Sequence, residues 1–211
     1  NRAPRSQQVH LGPSEIGSAC DREIAFKLTA QPDTNHVGGD KWNATIGTAV
    51  HSWLEDVFGK AGPKGWWLPE LPVIPDPDHP GTADLFAVHH KTVIDWKVLG
   101  PSTLGPIRDG NLSRKYFVQL LLYGRGYKNL GVDVEAVALS GLPRGGSLRD
   151  MYVYRIPLDA TTEAITDHVL LTELPRRKAY AAQLQAGRIR LEDIPKSPGK
   201  VCFFCPAYRP Q

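Results

Sequence analysis

Apolar positions along the chain fall into two rhythms, and their alternation outlines the fold. From about Asn43 to Phe58, the residues Ile46, Val50, Trp53, Leu54 and Val57 recur at helical spacing, and Gly59 marks the end. Further helical stretches cover about Ser113–Lys128 and about Thr161–Gln185, the latter bent or broken near Pro175. Near the front, Ser14 is placed to cap a helix through about Lys27, with Glu15 in its positively polarised first turn. Between these stretches the pattern turns β-like. An extended segment lies near Leu71–Ile74, and strands at Thr82–Val88 and Thr92–Val98 are joined by the short His89–Lys91 link. Two more strands fall near Val132–Ser140 and Tyr152–Ile156, with a loop around Pro143–Gly146. The run TVIDWKV is β-branched and almost continuously apolar, as a central strand is. The order helix, helix, three strands, helix, two strands, helix predicts an α/β fold, a small mixed β-sheet flanked by helices.

At 211 residues the chain suits a single domain. It divides into an N-terminal helix at 14–30, a core over 41–158, and a C-terminal helix and tail over 159–211 that pack on the N-terminal helix. The chain opens on Asn1 and ends soon after Cys205, so further residues are expected at both ends. No apolar run approaches the roughly 18–20 residues that cross a bilayer, and no secretory signal is visible. That pattern excludes a helical membrane protein and favours the cytoplasm of a bacterium or phage-infected host. Three cysteines, two close together and one remote, do not make an even disulfide set. They point to a reducing compartment and a metal or cluster site. The net charge of +3 is too small to establish a nucleic-acid partner. Residues 174–200 hold Arg176, Arg177, Lys178, Arg188, Arg190, Lys196 and Lys200 against Glu192 and Asp193. Such a run suits phosphate tracking or a solvated basic helix face equally.

The densest chemistry lies in GTADLFAVHHKTVIDWKV. Asp84 sits early in one strand, and Asp95 and Lys97 sit late in the next, two apart and therefore on one face. A tight antiparallel connection sets these positions side by side. Two neighbouring carboxylates repel each other, and a divalent cation such as Mg²⁺ or Mn²⁺ removes that penalty. The backbone carbonyl of Trp96 offers one more oxygen. Lys97 would position water or offset charge on a phosphate in the transition state. An Asp–Lys pair alone is a common surface feature. Two further signals strengthen the chemical reading: His51 in GTAVHSWLE, and Gln119 and Tyr123 in QLLLY, four apart on one helix face. A neutral imidazole would complete a metal shell and bias it toward Mn²⁺.

Taken in order, the His51 helix, the G-x-x-D strand, the D-x-K strand and the Q-x-x-x-Y helix resemble the RecB-like branch of the PD-(D/E)XK nucleases. That branch includes CRISPR-adaptation exonucleases, the AddB nuclease domain and phage exonucleases. The resemblance spans roughly residues 14–206, with Ala83 where the eponymous proline stands. It implies a restriction-endonuclease-like core in which His51, Asp84, Asp95 and the Trp96 carbonyl bind metal. It further implies that Lys97 is catalytic and that Gln119 and Tyr123 support the site and its DNA. The implied reaction is metal-dependent hydrolysis of DNA phosphodiesters, by an exonuclease acting on single strands or duplex ends in recombination, repair or phage DNA metabolism. The alternatives are a structure-specific endonuclease with the same residues, and a non-catalytic DNA-binding protein. An oligomer or a recombination partner protein stays open.

The same resemblance implies a 4Fe–4S cluster. Cys20 matches the N-terminal cysteine of the family, and Cys202 and Cys205 match two of its C-terminal ones. The fourth ligand would fall near Gln211 or beyond it, and Zn²⁺ on the same thiolates is the alternative. Other signals have plainer accounts. Asp76, Asp78 and His79 in PDPDHP read as a proline-rich turn. Trp66 and Trp67 pack under a loop more readily than they stack on bases, and Arg114 and Lys115 are weak candidates for phosphate contact.

Overall fold

The computed structural model describes residues 11–31 and 41–197. Helices α1 (Pro13–Ile16) and α2 (Asp21–Leu28) come first, followed by the long α3 (Trp42–Lys60). Strands β1 (Trp67–Val73), β2 (Gly81–Ala87) and β3 (Thr92–Leu99) then form a meander. Helices α4 (Pro101–Arg108) and α5 (Arg114–Asn129) cross to β4 (Ala136–Pro143), which leads into β5 (Tyr152–Pro157). The last helical run is α6 (Ala160–His168), a wide π turn over Val169–Glu173, and α7 (Leu174–Gln185).

The five strands make one mixed sheet in the order β1-β2-β3-β4-β5. Its only parallel pair is β3 with β4, and the two-helix crossover between them is what parallel pairing demands. On one face Leu120, Leu121 and Tyr127 of α5 pack on Phe86, Val93, Val137 and Leu139, joined by Leu104 and Ile107 of α4. On the other face Leu54 of α3 meets Leu85, Trp96 and Leu142. A sheet covered on both faces explains why β4 is nearly continuously buried and β3 has no exposed position. This is the α/β architecture with a mixed sheet flanked by helices that the apolar pattern predicts.

The boundaries differ from expectation in several places, β1 among them, which starts at Trp67 and not near Leu71. The single helix expected from Ser14 to Lys27 is two helices. Gly17 backs so closely onto α5 that a Cβ there would lie 2.7 Å from the Lys115 carbonyl oxygen, and the chain turns at that point. Gly12, not Ser14, holds the cap position of α1, and Cys20 caps α2 in extended geometry. Helix α4 was hidden by Pro101 and Pro106, yet Pro101 occupies the first turn, where its missing N–H costs nothing. Strand β4 begins at Ala136, later than Val132, because its parallel register with Thr92–Leu99 fixes it. The expected break near Pro175 is the π turn just before it.

Helices α6 and α7 hold the N-terminal helices in place. Leu174 and Val169 pack with Ile16, Ile24 and Val118, while Arg177, only 2% exposed, binds Asp21 and the carbonyls of Ile16 and Ser18. The cysteine tail expected to pack on these helices, with Cys202 and Cys205, lies outside the described residues.

Candidate active site

Strand pairing creates the site. The ladder between β2 and β3 holds only Leu85↔Ile94, Phe86↔Val93 and Ala87↔Thr92. Continued by one step, the register would set Asp84 against Asp95, but there the strands part. On their outer edges β2 stays paired with β1 from Gly81 to Ala87 and β3 with β4 from Thr92 to Leu99. The fork leaves backbone donors without strand partners, and Asp84 answers one of them: its Oδ2 accepts from the Trp96 N–H at 2.6 Å. Asp84 thus serves the backbone at the fork, while side chains hold Asp95.

Helices α3 and α5 close on the fork from opposite faces of the sheet. From α3, His51 brings Nδ1 to 3.4 Å from Asp84 Oδ1, its ring held edge-on by Trp96 at 5.9 Å between centroids. Phe58 in turn stacks on Trp96. From α5, Gln119 donates from Nε2 to Asp95 Oδ1 and to the Tyr123 hydroxyl, each at 3.1 Å. Lys97 Nζ lies 2.6 Å from Asp95 Oδ2 and 5.8 Å from the centroid of the Tyr116 ring. All six side chains named from the sequence therefore meet at one place: His51, Asp84, Asp95, Lys97, Gln119 and Tyr123. Trp96 sits among them through its N–H and ring.

Two residues of the cluster escaped the sequence reading. Glu70 of β1 has φ +52, and the β1–β2 ladder skips it, pairing Pro69 with Leu85 and Leu71 with Ala83. The same register places Glu70 opposite Asp84. One donor atom each from His51, Glu70 and Asp84 lie within 4.8 Å of one another. Asp95 does not belong to that tight trio, because Lys97 and Gln119 hold its carboxylate. Glu70 was concealed by its setting in WLPELPV, where two prolines obscure the strand pattern. A positive φ on a non-glycine residue is costly and concentrates at functional sites, but only coordinates reveal it. The other is Tyr116, two turns before Tyr123 on α5.

The electrostatics follow from burial. Asp95 is 2% exposed, and desolvation pushes its carboxyl upward; Lys97 pulls it back and Asp84 adds to the rise. Desolvation works against the Lys97 ammonium, yet the charge and hydrogen bond of Asp95 keep its proton held more tightly than usual. For His51, burial disfavours the imidazolium, but the bond and charge of Asp84 outweigh it and raise its pKa. Burial also raises the Tyr123 phenol, which stays a neutral hydroxyl. A pocket that crowds protons onto His51 and Asp95 would exchange them for a divalent cation. One imidazole nitrogen and two or more carboxylates form a donor set that fits Mn²⁺ or Mg²⁺.

Other sequence signals are absorbed by the fold. Arg114 pairs with both oxygens of Glu173 at 2.7 Å and donates to the Gly17 carbonyl, which gives it a structural part at the start of α5. The basic run after residue 174 is partly paired: buried Arg177 and exposed Arg176 bind Asp21, and Arg190 binds Asp193 at the surface. Trp67 packs edge-on to Phe58, and Trp66 to His89. Among the described residues, no helix is long and apolar enough to cross a membrane.

No protein-family model matches the chain, and no curated protein matches it. Solved structures do share its fold. An alkaline exonuclease from Laribacter hongkongensis superposes with TM-score 0.57 at 12% identity, covering 85% of this chain and 93% of its own. A phage-related exonuclease from Haemophilus somnus 129PT gives TM-score 0.53 at 13% identity, with 80% and 82% covered. A third structure, SSO0001, gives 0.54 at 15% identity and covers 97% of this chain and 86% of its own. At these identities the likeness is one of fold: this chain has the α/β architecture of those exonucleases.

Proposed function

We propose that this chain is a metal-dependent deoxyribonuclease that hydrolyses phosphodiester bonds in DNA, acting from the ends of single strands or duplexes. The observation that carries the reading is the strand fork. It sets the His51, Glu70 and Asp84 donors beside the Asp95–Lys97 pair, in a fold shared with exonucleases. His51, Glu70 and Asp84, with Asp95 and the Trp96 carbonyl, would hold Mg²⁺ or Mn²⁺. The ion supplies Lewis-acid polarisation of the phosphoryl group and charge stabilisation. Lys97, fixed by Asp95, would place a positive charge where the pentacoordinate phosphorus centre accumulates negative charge in the transition state. Gln119 fixes Asp95 through one N–H and the Tyr123 hydroxyl through the other, so α5 sets the orientation of the acidic strand. The imidazole of His51 favours Mn²⁺ over Mg²⁺.

The test uses end-labelled linear DNA and a covalently closed circle, each with Mn²⁺, Mg²⁺ or a chelator. Degradation of linear DNA that stops with chelator, while the circle survives, is the expected outcome. Cutting of the circle would turn the reading to a structure-specific endonuclease. Binding without cleavage under any metal would make the protein a DNA-binding module.

Cys20 stands half-buried at the cap of α2, against the helices that α7 secures. With Cys202 and Cys205 it would ligate a 4Fe–4S cluster, with Zn²⁺ as the alternative. Anaerobically purified protein should then absorb near 400 nm and contain iron. Colourless protein with zinc alone selects the alternative, and protein with neither ends the proposal.

A further inference from the structure

Between β1 and β2 runs the segment Pro75-Asp76-Pro77-Asp78-His79-Pro80, which takes no part in the fork. His79 is 2% exposed, and its Nδ1 lies 2.8 Å from the carbonyl oxygen of Leu11. A carbonyl only accepts, so Nδ1 carries a proton, and in the neutral ring Nε2 is then a bare lone pair. That Nε2 is buried and meets no hydrogen-bond partner among the described residues. The group it faces is another acceptor, Asp76 Oδ1 at 4.0 Å. One donor atom each from Asp76, Asp78 and His79 lie within 4.8 Å of one another.

The carboxylates lie nearer the surface, Asp78 exposed and Asp76 part-buried with Oδ1 accepting from the Asp78 N–H at 3.1 Å, and a cation between them and the buried lone pair would satisfy all three. We propose that Asp76, Asp78 and His79 form a second metal site, separate from the fork, that takes a first-row divalent transition ion, Zn²⁺ above all. Imidazole nitrogen with carboxylate oxygens is a Zn²⁺ donor set, and bonds of about 2.0–2.2 Å bring two ligand atoms to within roughly 4 Å of each other. A histidine that donates its other N–H to a backbone carbonyl has the orientation and basicity of a metal ligand. Prolines at 75, 77 and 80 fix their own φ, so the loop loses little freedom when it closes on the ion. Lys178 of α7 pairs with Asp78 Oδ2 at 2.8 Å, an exposed contact that a divalent ion would compete with.

The site has a structural part to play. Through the Leu11 carbonyl it fastens the segment before α1 to the β1–β2 connection. Directly after the loop, a Cβ at Gly81 would lie 2.8 Å from Pro13 Cγ and 3.2 Å from Tyr123 Cε1. The ion would thus clasp the layer of chain that packs against Tyr123.

The experiment compares wild type with the double variant Asp76→Asn, Asp78→Asn, two positions exposed enough to change without emptying the core. Both proteins keep the fork residues and all three cysteines, so metal bound elsewhere cancels in the difference. Zn²⁺ per chain is measured by equilibrium dialysis and elemental analysis in excess Mg²⁺, and Tm is read with and without Zn²⁺. The wild type should hold one more Zn²⁺ per chain than the variant, and its Tm should rise further with Zn²⁺ than the variant's does. Equal Zn²⁺ content in the two proteins overturns the proposal, whatever the activity on DNA.

Discussion

Lys97→Ala should lower single-turnover DNA cleavage by about 10²–10³-fold, the loss typical of removing one preorganised charge donor from a transition state. DNA affinity should stay close to wild type, because one half-buried ammonium is a small part of a phosphate-binding surface. The fold should also survive. Asp95 loses its cationic neighbour, but burial already pushes its carboxyl upward, so it takes up a proton instead of remaining a bare charge. The dependence on metal concentration is what separates roles at the fork. In Lys97→Ala the plateau rate should fall even at saturating Mn²⁺, where the ion has displaced the proton from Asp95. In Glu70→Gln the midpoint should rise about tenfold or more, the equivalent of losing roughly 1.4 kcal/mol of binding, with the plateau largely recovered at high Mn²⁺. Quenched-flow cleavage of end-labelled DNA across a Mn²⁺ series measures both. A Lys97→Ala protein with the wild-type plateau would remove lysine from the chemistry, and an unmoved midpoint in Glu70→Gln would remove Glu70 from the metal site.

The largest stability loss is expected at Asp21→Ala, far from the fork. Asp21 accepts from Arg177 Nε at 2.8 Å and from both Nε and Nη2 of Arg176, at 3.1 Å and 3.0 Å. Arg177 is almost wholly buried, and breaking a buried ion pair from one side costs about 3–5 kcal/mol. At about 2–4 °C per kcal/mol for a protein of this size, Tm should fall by roughly 6–20 °C. The pH dependence has a definite sign. Burial pushes the Asp21 carboxyl up, but the bonds and charges of Arg176 and Arg177 outweigh it, so the folded value lies below the unfolded one. The stabilisation is complete above the unfolded value of about 3.9 and is lost as pH falls through the folded value. Asp21→Asn should therefore show a shallower loss of Tm in acid than wild type, by scanning calorimetry between neutral pH and about pH 3. A wild-type Tm in Asp21→Ala would show that Glu173, 3.1 Å from Arg177, holds the network alone.

Much of this was legible in the residues. TVIDWKV declared a central strand, and D-x-K on a strand forces two side chains onto one face, so Asp95 and Lys97 needed no tertiary knowledge. The four-residue step from Gln119 to Tyr123 likewise forced a shared helix face, and their hydrogen bond follows from it. Glu70 was invisible because its relation to Asp84 depends on strand register, which local pattern does not set. The split between α1 and α2 was missed for a related reason. Gly17 is small because another helix passes behind it, a fact about α5 and not about its own neighbours. The basic run misled in the opposite direction. Arg177 is an unremarkable member of a charged stretch in sequence, and an interior ligand for the N-terminal turn in space.

The π turn at Val169–Glu173 carries a consequence of its own. A turn with one surplus residue shifts the phase of everything after it by about 100°. Glu173 and Arg177, one turn apart, both depend on that offset to face Arg114 and Asp21. What is specified there is a length and not a residue type. Conservative replacements inside the bulge leave the aim of α7 alone, whereas excision of a single position would straighten the rod and swing both side chains off their targets.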